Sequence, residues 1–202
     1  MARILLLFAH PALEKSRVHA AMLKQVEQLK EITINDLYQQ YPFFDIDIRR
    51  EQELLLSHDI LVFQHPLYWY SSPAIVKQWQ DLVLEHGWAY GKNGRMLEGK
   101  KFFHVITSGG RAESYKNDGY NAYSIQDFLR PIERTARLCR MIYLPPYVIH
   151  GTHRMNQDDI RFQAAQYSTL LSAFCEDKIS INEIGDINYL NELLPITKSF
   201  QL

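Results

Sequence analysis

Residues 2–9 form an almost unbroken apolar run, the pattern of a parallel strand covered on both faces. Residues 59–64 and 101–107 repeat that pattern, and 32–37 fits a further strand. Residues 143–149 give a fifth, interrupted by Pro145 and Pro146 and therefore placed at a sheet edge or given an irregular entry. Between these runs the spacing becomes helical. Val18, Met22, Val26 and Leu29 share one face of 16–29, and Leu54 and Leu55 mark a weaker face in 48–58. From Pro73 to His86 the inward positions are Ile75, Val76, Trp79, Leu82 and Val83, with the proline in the first turn. Residues 124–138 predict another helix, which Pro131 should kink or divide, and 158–174 predict the closing one. Residues 87–99 read as a loop rich in Gly and Asn.

Strands alternating with helices imply right-handed βαβ units. The expected fold is an α/β, three-layer, doubly wound sheet of five parallel strands in flavodoxin-like order. It fills residues 1–176 as one domain and leaves 177–202 as a C-terminal extension that packs across a neighbour or frays. In this architecture a ligand sits beyond the carboxyl ends of the strands, at the switch point beside the first strand. The segments leaving those ends are thus the ones to read for chemistry.

Composition narrows the function. A chain of 202 residues with 47% apolar and 22% charged residues closes one sizeable core. A net charge of −1 and a pI near 6.7 provide no electrostatic footprint for nucleic acid, and no Lys/Arg block is dense enough to grip an anionic membrane. The apolar start ends at His10-Pro11 without a small-residue cleavage site, so it reads as a strand and not as a signal peptide. No later stretch approaches the roughly 20 apolar residues of a membrane helix. Cys139 and Cys175 are far apart and form no CxxC, which leaves the cytoplasm as the default compartment.

Three loops carry candidate chemistry. After the first strand, Ser16 is placed to cap the following helix. With Lys15, Arg17, Val18 and His19 it suits a terminal phosphate, though the same residues fit an ordinary cap. After the third strand, Pro66, Leu67, Tyr68, Trp69 and Tyr70 put three adjacent aromatics in a tight loop. They cannot all point inward, so at least one lines a cleft or a partner. After the fourth strand, Thr107, Ser108, Gly109 and Gly110 let the backbone approach a ligand and donate N–H groups to a ring edge. A phosphate cradle, an aromatic wall and a set of backbone donors are the parts that bound FMN needs.

The strings Leu5-Leu6-Leu7-Phe8-Ala9-His10-Pro11, Tyr41-Pro42 with Asp45-Ile46-Asp47-Ile48, Gln64-His65-Pro66 with Trp69-Tyr70-Ser71, His86-Gly87-Trp88-Ala89-Tyr90-Gly91 and Leu144-Pro145-Pro146 resemble one family. It is the flavodoxin-like NAD(P)H:quinone oxidoreductase family, most closely its flavoprotein ancillary subunits of glutathione-gated potassium efflux systems. The likeness covers about residues 3–175. It implies a cytoplasmic FMN enzyme that exchanges two electrons between NAD(P)H and quinones by a ping-pong route, or a regulatory subunit docked on a potassium efflux transporter at the inner face of the membrane. FMN is preferred over FAD because the chain is short and holds no separate adenosine-binding element. The resemblance puts His10 and Ser16, Arg17, Val18 and His19 around the phosphate. Leu67 to Tyr70 lie against the isoalloxazine, and Thr107 to Gly110 lie along its pyrimidine edge. It makes Tyr115, Trp69 and Gly109 the catalytic candidates. Where relatives usually have asparagine, this chain has His19. In mammalian quinone reductase a tyrosine five residues beyond the second glycine is followed six residues later by a histidine; here Tyr115 is followed by Asn121, so a Tyr–His relay does not carry over intact. Relatives complete each flavin site from a second subunit, which implies a homodimer using the loop 88–95 or the extension.

Other groups read as structural. His150-Gly151-Thr152-His153 lacks a carboxylate or cysteine spaced to complete a metal shell. His65 is expected to bond to backbone, and the acids of 45–53 to form a solvated face. GxSxG is absent, so hydrolase chemistry has no support.

Overall fold

The computed structural model describes residues 1–180, 184–185 and 187–194. The sheet is built from β1 (Ile4–Phe8), β2 (Ile32–Asp36), β3 (Ile60–Pro66), β4 (Lys101–Thr107), β5 (Ile142–Tyr143) and β6 (Tyr147–Ile149). The helices are α1 (Arg17–Val26), α2 (Leu37–Gln40), α3 (Ile48–Ser57), α4 (Ala74–Val83), α5 (Ile125–Leu138) and α6 (Gln157–Cys175). All pairings are parallel and the order is β2-β1-β3-β4-β5, with β6 beside β4 on the same edge as β5. The fifth strand therefore exists in two pieces. Leu144 still donates its N–H to Phe102 O (2.8 Å), but the two prolines that follow have no N–H to give.

Strand alternation divides the core. Ile4, Leu6 and Phe8 face α1 and α6, meeting Val18, Met22, Tyr167 and Phe174. Leu5 and Leu7 face the other layer, with Leu55, Val76 and Trp79. Burial on both faces is why β1 and β3 are apolar almost throughout.

Three local details differ from the sequence reading. Leu37 begins α2 instead of ending β2, because the Asp36 carboxylate accepts from the N–H groups of Tyr38 and Gln39 (3.1 Å each) and turns the chain. Helix α5 runs undivided through Pro131, which lies on its exposed side. Glu51 is not on a solvated face; it is fully buried. Its carboxylate accepts from Asn35 Nδ2 (2.8 and 3.0 Å), Tyr41 O–H (2.6 Å), Trp79 Nε1 (2.8 Å) and Arg50 (2.6 Å), which ties β2, α3, α4 and the intervening loop to one charge. Burial, followed by the Glu51 carboxylate, pushes the Tyr41 phenol up to about 12.

The described part of the C-terminal extension packs on this same domain. Leu190 is fully buried and donates to Pro146 O (3.0 Å). The Asn191 amide exchanges both bonds with Val148 (2.9 Å each), satisfying the outer edge of β6 as a further strand would. Residues 181–183, 186 and 195–202 of the expected extension lie outside the described residues.

Candidate functional site

Four loops leave the carboxyl ends of β1, β3, β4 and β6 and converge. After β1, Ala9 N–H bonds to Gln64 O (3.0 Å), a short 3-10 turn covers Leu13–Lys15, and Ser16 caps α1 by accepting from His19 N–H (3.3 Å). The first N–H groups of α1 have no helical acceptor and point outward from its start. The Arg17 guanidinium donates to Met155 O (3.0 Å), tying this loop to the one beyond β6. His10 accepts from Ala12 N–H at Nδ1 (3.1 Å), so its Nε2 keeps the proton and is a donor. Burial keeps His10 below the ordinary histidine range.

After β3, Tyr68 and Ser71 exchange both backbone bonds (3.0 Å each), closing a two-residue turn. The two residues in it, Trp69 and Tyr70, have φ of 49° and 62°, the left-handed region that a glycine would normally occupy. This backbone stores strain of about 1–3 kcal/mol per residue. It presents Trp69 at 94% exposure, while Tyr70 leans on Phe128 (ring centroids 5.1 Å apart).

After β4, Ser108 N–H bonds to Ile149 O (2.9 Å) and its hydroxyl donates to Gly110 O (3.1 Å). That hydroxyl therefore accepts from His150 Nδ1 (2.9 Å). Thr152 N–H also bonds to Ser108 O (3.1 Å), and Gly151 N–H to Gly110 O (2.9 Å), so the loops after β4 and β6 are laced together. A Cβ on Gly109 would sit 2.4 Å from the His153 ring, and one on Gly110 would lie 3.1 Å from the Tyr115 ring. Tyr115 also lies against His150, with ring centroids 5.4 Å apart. Burial holds His150 down to about 4, so it stays neutral near neutral pH.

The result is two adjoining cavities that share Leu67. One, of about 300 Å³, is lined by His10, Lys15, Ser16, Arg17, Val18, Pro66, Leu67, Tyr68, Thr107, Gly109, Thr152 and His153. The other, of about 340 Å³, is lined by Leu67, Trp69, Tyr70, Gly110, Ser114, Tyr115, Tyr120 and Asn121. Two of the residues expected at the site line neither. The His19 side chain turns into the core, and Ser108 spends its hydroxyl on its neighbours. Thr152 and His153 line the first cavity beyond the residues the sequence singles out, and His150 backs it through Ser108 and Tyr115. The available signal is the His-Gly-Thr-His string directly past a strand end, which lacks the ligand set of a metal site but sits where a strand-end loop can reach a ligand. Among the described residues no group of three or more His, Cys, Asp or Glu side chains could hold a metal ion, and no helix is long and apolar enough to cross a membrane.

A family model described as flavodoxin-like fold matches residues 2–171. The chain belongs to this flavodoxin-like family. It is 44% identical over 172 residues to the glutathione-regulated potassium-efflux system ancillary protein KefG of Enterobacter sp. (strain 638), covering 85% of this chain and 94% of that protein. General stress protein 14 of Treponema denticola, whose crystal structure is a complex with FMN, superposes with a TM-score of 0.81 at 38% identity, covering 85% of this chain and 98% of that one. An NADPH-quinone reductase from P. pentosaceus superposes with a TM-score of 0.76 at 29% identity, covering 83% and 96%. The resemblance read from the strand-end strings thus matches what the flavodoxin-like protein is similar to across most of its length.

Proposed function

We propose that this protein is an FMN-dependent NAD(P)H dehydrogenase (quinone). The observation that carries the reading is the meeting, at the ends of β1, β3 and β4, of a helix start, an aromatic turn in left-handed backbone and a glycine pair, around two cavities of ligand size. The T. denticola relative crystallised with FMN and the P. pentosaceus quinone reductase support it.

The residues fit the cofactor in type. The free N–H groups at the start of α1, the Ser16 hydroxyl, the positive charges of Lys15 and Arg17, and His10 Nε2–H form the phosphate cradle. Pro66, Leu67, Tyr68, Trp69 and Tyr70 wall the flat ring. Gly109 and Gly110 have N–H groups with no partner among the described residues, and these serve as its edge donors. When bound, FMN supplies two-electron, ping-pong hydride exchange between NAD(P)H and a quinone-type acceptor. Trp69 and Tyr70 define the slot in which both substrates stack, and their exposed faces exclude water once a planar substrate lies on them. Tyr115 directs its phenol to the Gly110 end, where it stabilises developing negative charge. Asn121 lines the same cavity, but the histidine facing Tyr115 is His150, from another loop. The active form is a homodimer in the cytoplasm. Its domain is residues 1–176, and the loop 88–95 or the C-terminal extension of a second subunit completes each site.

The test is spectroscopic. The purified protein is expected to be yellow, to bleach under NADPH or NADH and to recover its colour with a quinone. Protein that neither carries nor takes up FMN overturns the reading. A second reading is favoured by the KefG likeness: an ancillary subunit of a potassium efflux transporter. It predicts co-purification with the transporter and loss of efflux activation on deletion.

A further inference from the structure

A chain of buried side chains runs behind the phosphate-side cavity. Tyr167 O–H donates to Gln64 Oε1 (2.8 Å), Gln64 Nε2 lies 3.1 Å from His19 Nδ1, and His19 Nε2 lies 2.9 Å from Thr107 Oγ1. Tyr167, Gln64 and His19 are at most 1% exposed, and only Thr107, at 5%, reaches the cavity wall.

The direction of donation along this chain is determined at its far end. A fully buried phenol must place its proton, and the acceptor in reach of Tyr167 is Gln64 Oε1. Gln64 then presents its NH₂ to His19, so Nδ1 is the bare nitrogen and Nε2 carries the proton. Thr107 Oγ1 accepts that proton's bond. The reverse direction would leave the Tyr167 proton without an acceptor in the core, at a cost of about 1–3 kcal/mol.

We infer that His19 is a positioning residue: held as the Nε2–H tautomer by Tyr167 and Gln64, it makes Thr107 a hydrogen-bond donor into the cavity. The hydroxyl has one proton and its acceptor side is engaged from behind, so it is turned toward an acceptor atom of the ligand. Burial, reinforced by the neighbouring His10 and His65, keeps His19 neutral, which preserves the single tautomer. This inference deepens the FMN reading and rests on it for the identity of the acceptor.

The test has two arms. Nitrogen-15 NMR of histidines in the ligand-free protein is expected to show His19 protonated at Nε2, and Tyr167→Phe is expected to mix in the other tautomer. His19 protonated at Nδ1 in the wild type overturns the inference whether or not FMN binds. In the second arm, Thr107→Val is expected to change the relative affinity for the two oxidation states of FMN by about tenfold, a shift of about 30 mV in midpoint potential for a two-electron couple. Thr107→Ser restores it, and Tyr167→Phe moves it in the same direction from inside the core. Unchanged potentials in both Thr107→Val and Tyr167→Phe overturn the donor role. Failure of the wild type to bind FMN overturns the proposed function instead, with the tautomer still decided by the first arm.

Discussion

The Glu51 cluster and the aromatic turn lie at opposite extremes of how this chain uses polar and apolar groups. Around Glu51, one buried charge has donors from Asn35, Tyr41, Arg50 and Trp79, and every oxygen is served. At the turn, Trp69 and Tyr70 hold left-handed backbone with bulky side chains, and Trp69 is left almost wholly in water. The first arrangement fixes the loop between α2 and α3 against the sheet. The second is unfavourable by itself and keeps its shape because β3 and α4 clamp both its ends. Strain and exposed aromatic surface at one strand end, beside a satisfied interior, mark a place kept for binding.

This contrast predicts which substitutions unfold the protein and which only disable it. Glu51→Ala has the largest effect. It strands Trp79 Nε1–H, the Asn35 amide and the Arg50 charge, and unfolding in urea should show a loss of about 3–5 kcal/mol. Glu51→Gln, which keeps shape but not charge, should lose less.

Acid comes next. His65 donates from Nδ1 to Pro66 O (3.0 Å), as expected of a backbone-bonded histidine, and its Nε2 faces His104 Nδ1 (3.2 Å); His104 Nε2 is buried without a partner among the described residues. Burial lowers His65 to about 4 and holds His104 and His19 well below the ordinary 6.5. A histidine depressed in the folded state adds stability that is complete above its unfolded value and is lost as pH falls toward the folded one. His65 alone accounts for about 3 kcal/mol lost between pH 6.5 and 4. Denaturation midpoints measured across that window should fall steadily, and a flat profile would contradict neutral burial of these rings.

Gly109→Ala separates stability from binding. The new methyl meets the exposed His153 ring, which can swing away, so the melting temperature should hardly move. The ligand's close approach is lost, and FMN affinity should fall by about tenfold or more, at least 1.4 kcal/mol. Equal losses in both quantities would assign Gly109 to folding and not to the site.

The smallest effect has the opposite sign. Trp69→Gly removes a left-handed aromatic and should raise stability by about 1 kcal/mol, while turnover with a quinone falls. A variant that is both less stable and fully active would show that the turn is packing and not a ligand wall.

Much of this molecule was legible in the sequence. Parallel strands buried on both faces announce themselves as apolar runs, so β1, β3 and β4 followed from periodicity, and with them the three loops that meet at the cavities. What was not legible depends on where a side chain turns. Nothing local says that His19, one residue past Val18 on the first turn of α1, faces Gln64 and Thr107 instead of the cavity. Glu51 sits in an acidic, solvent-like string, and only the fold brings Asn35 and Trp79 to it. The docking of Asn191 on β6 joins residues 43 apart in sequence through an edge that exists only once the sheet is formed. Thr152 and His153 carry no ligand-type signature of their own, and only the pairing of β6 with β4 brings their loop to the cavity.

The central claim is that the strand-end loops form one flavin site, and fluorescence titration of FMN with ligand-free protein tests it most directly. The account predicts saturable quenching at one FMN per chain with a dissociation constant of about 1 μM or lower, about −8 kcal/mol or stronger. It also predicts a curve displaced to weaker binding for Gly109→Ala at unchanged melting temperature. Quenching that does not saturate, or an identical curve for the variant, would contradict it.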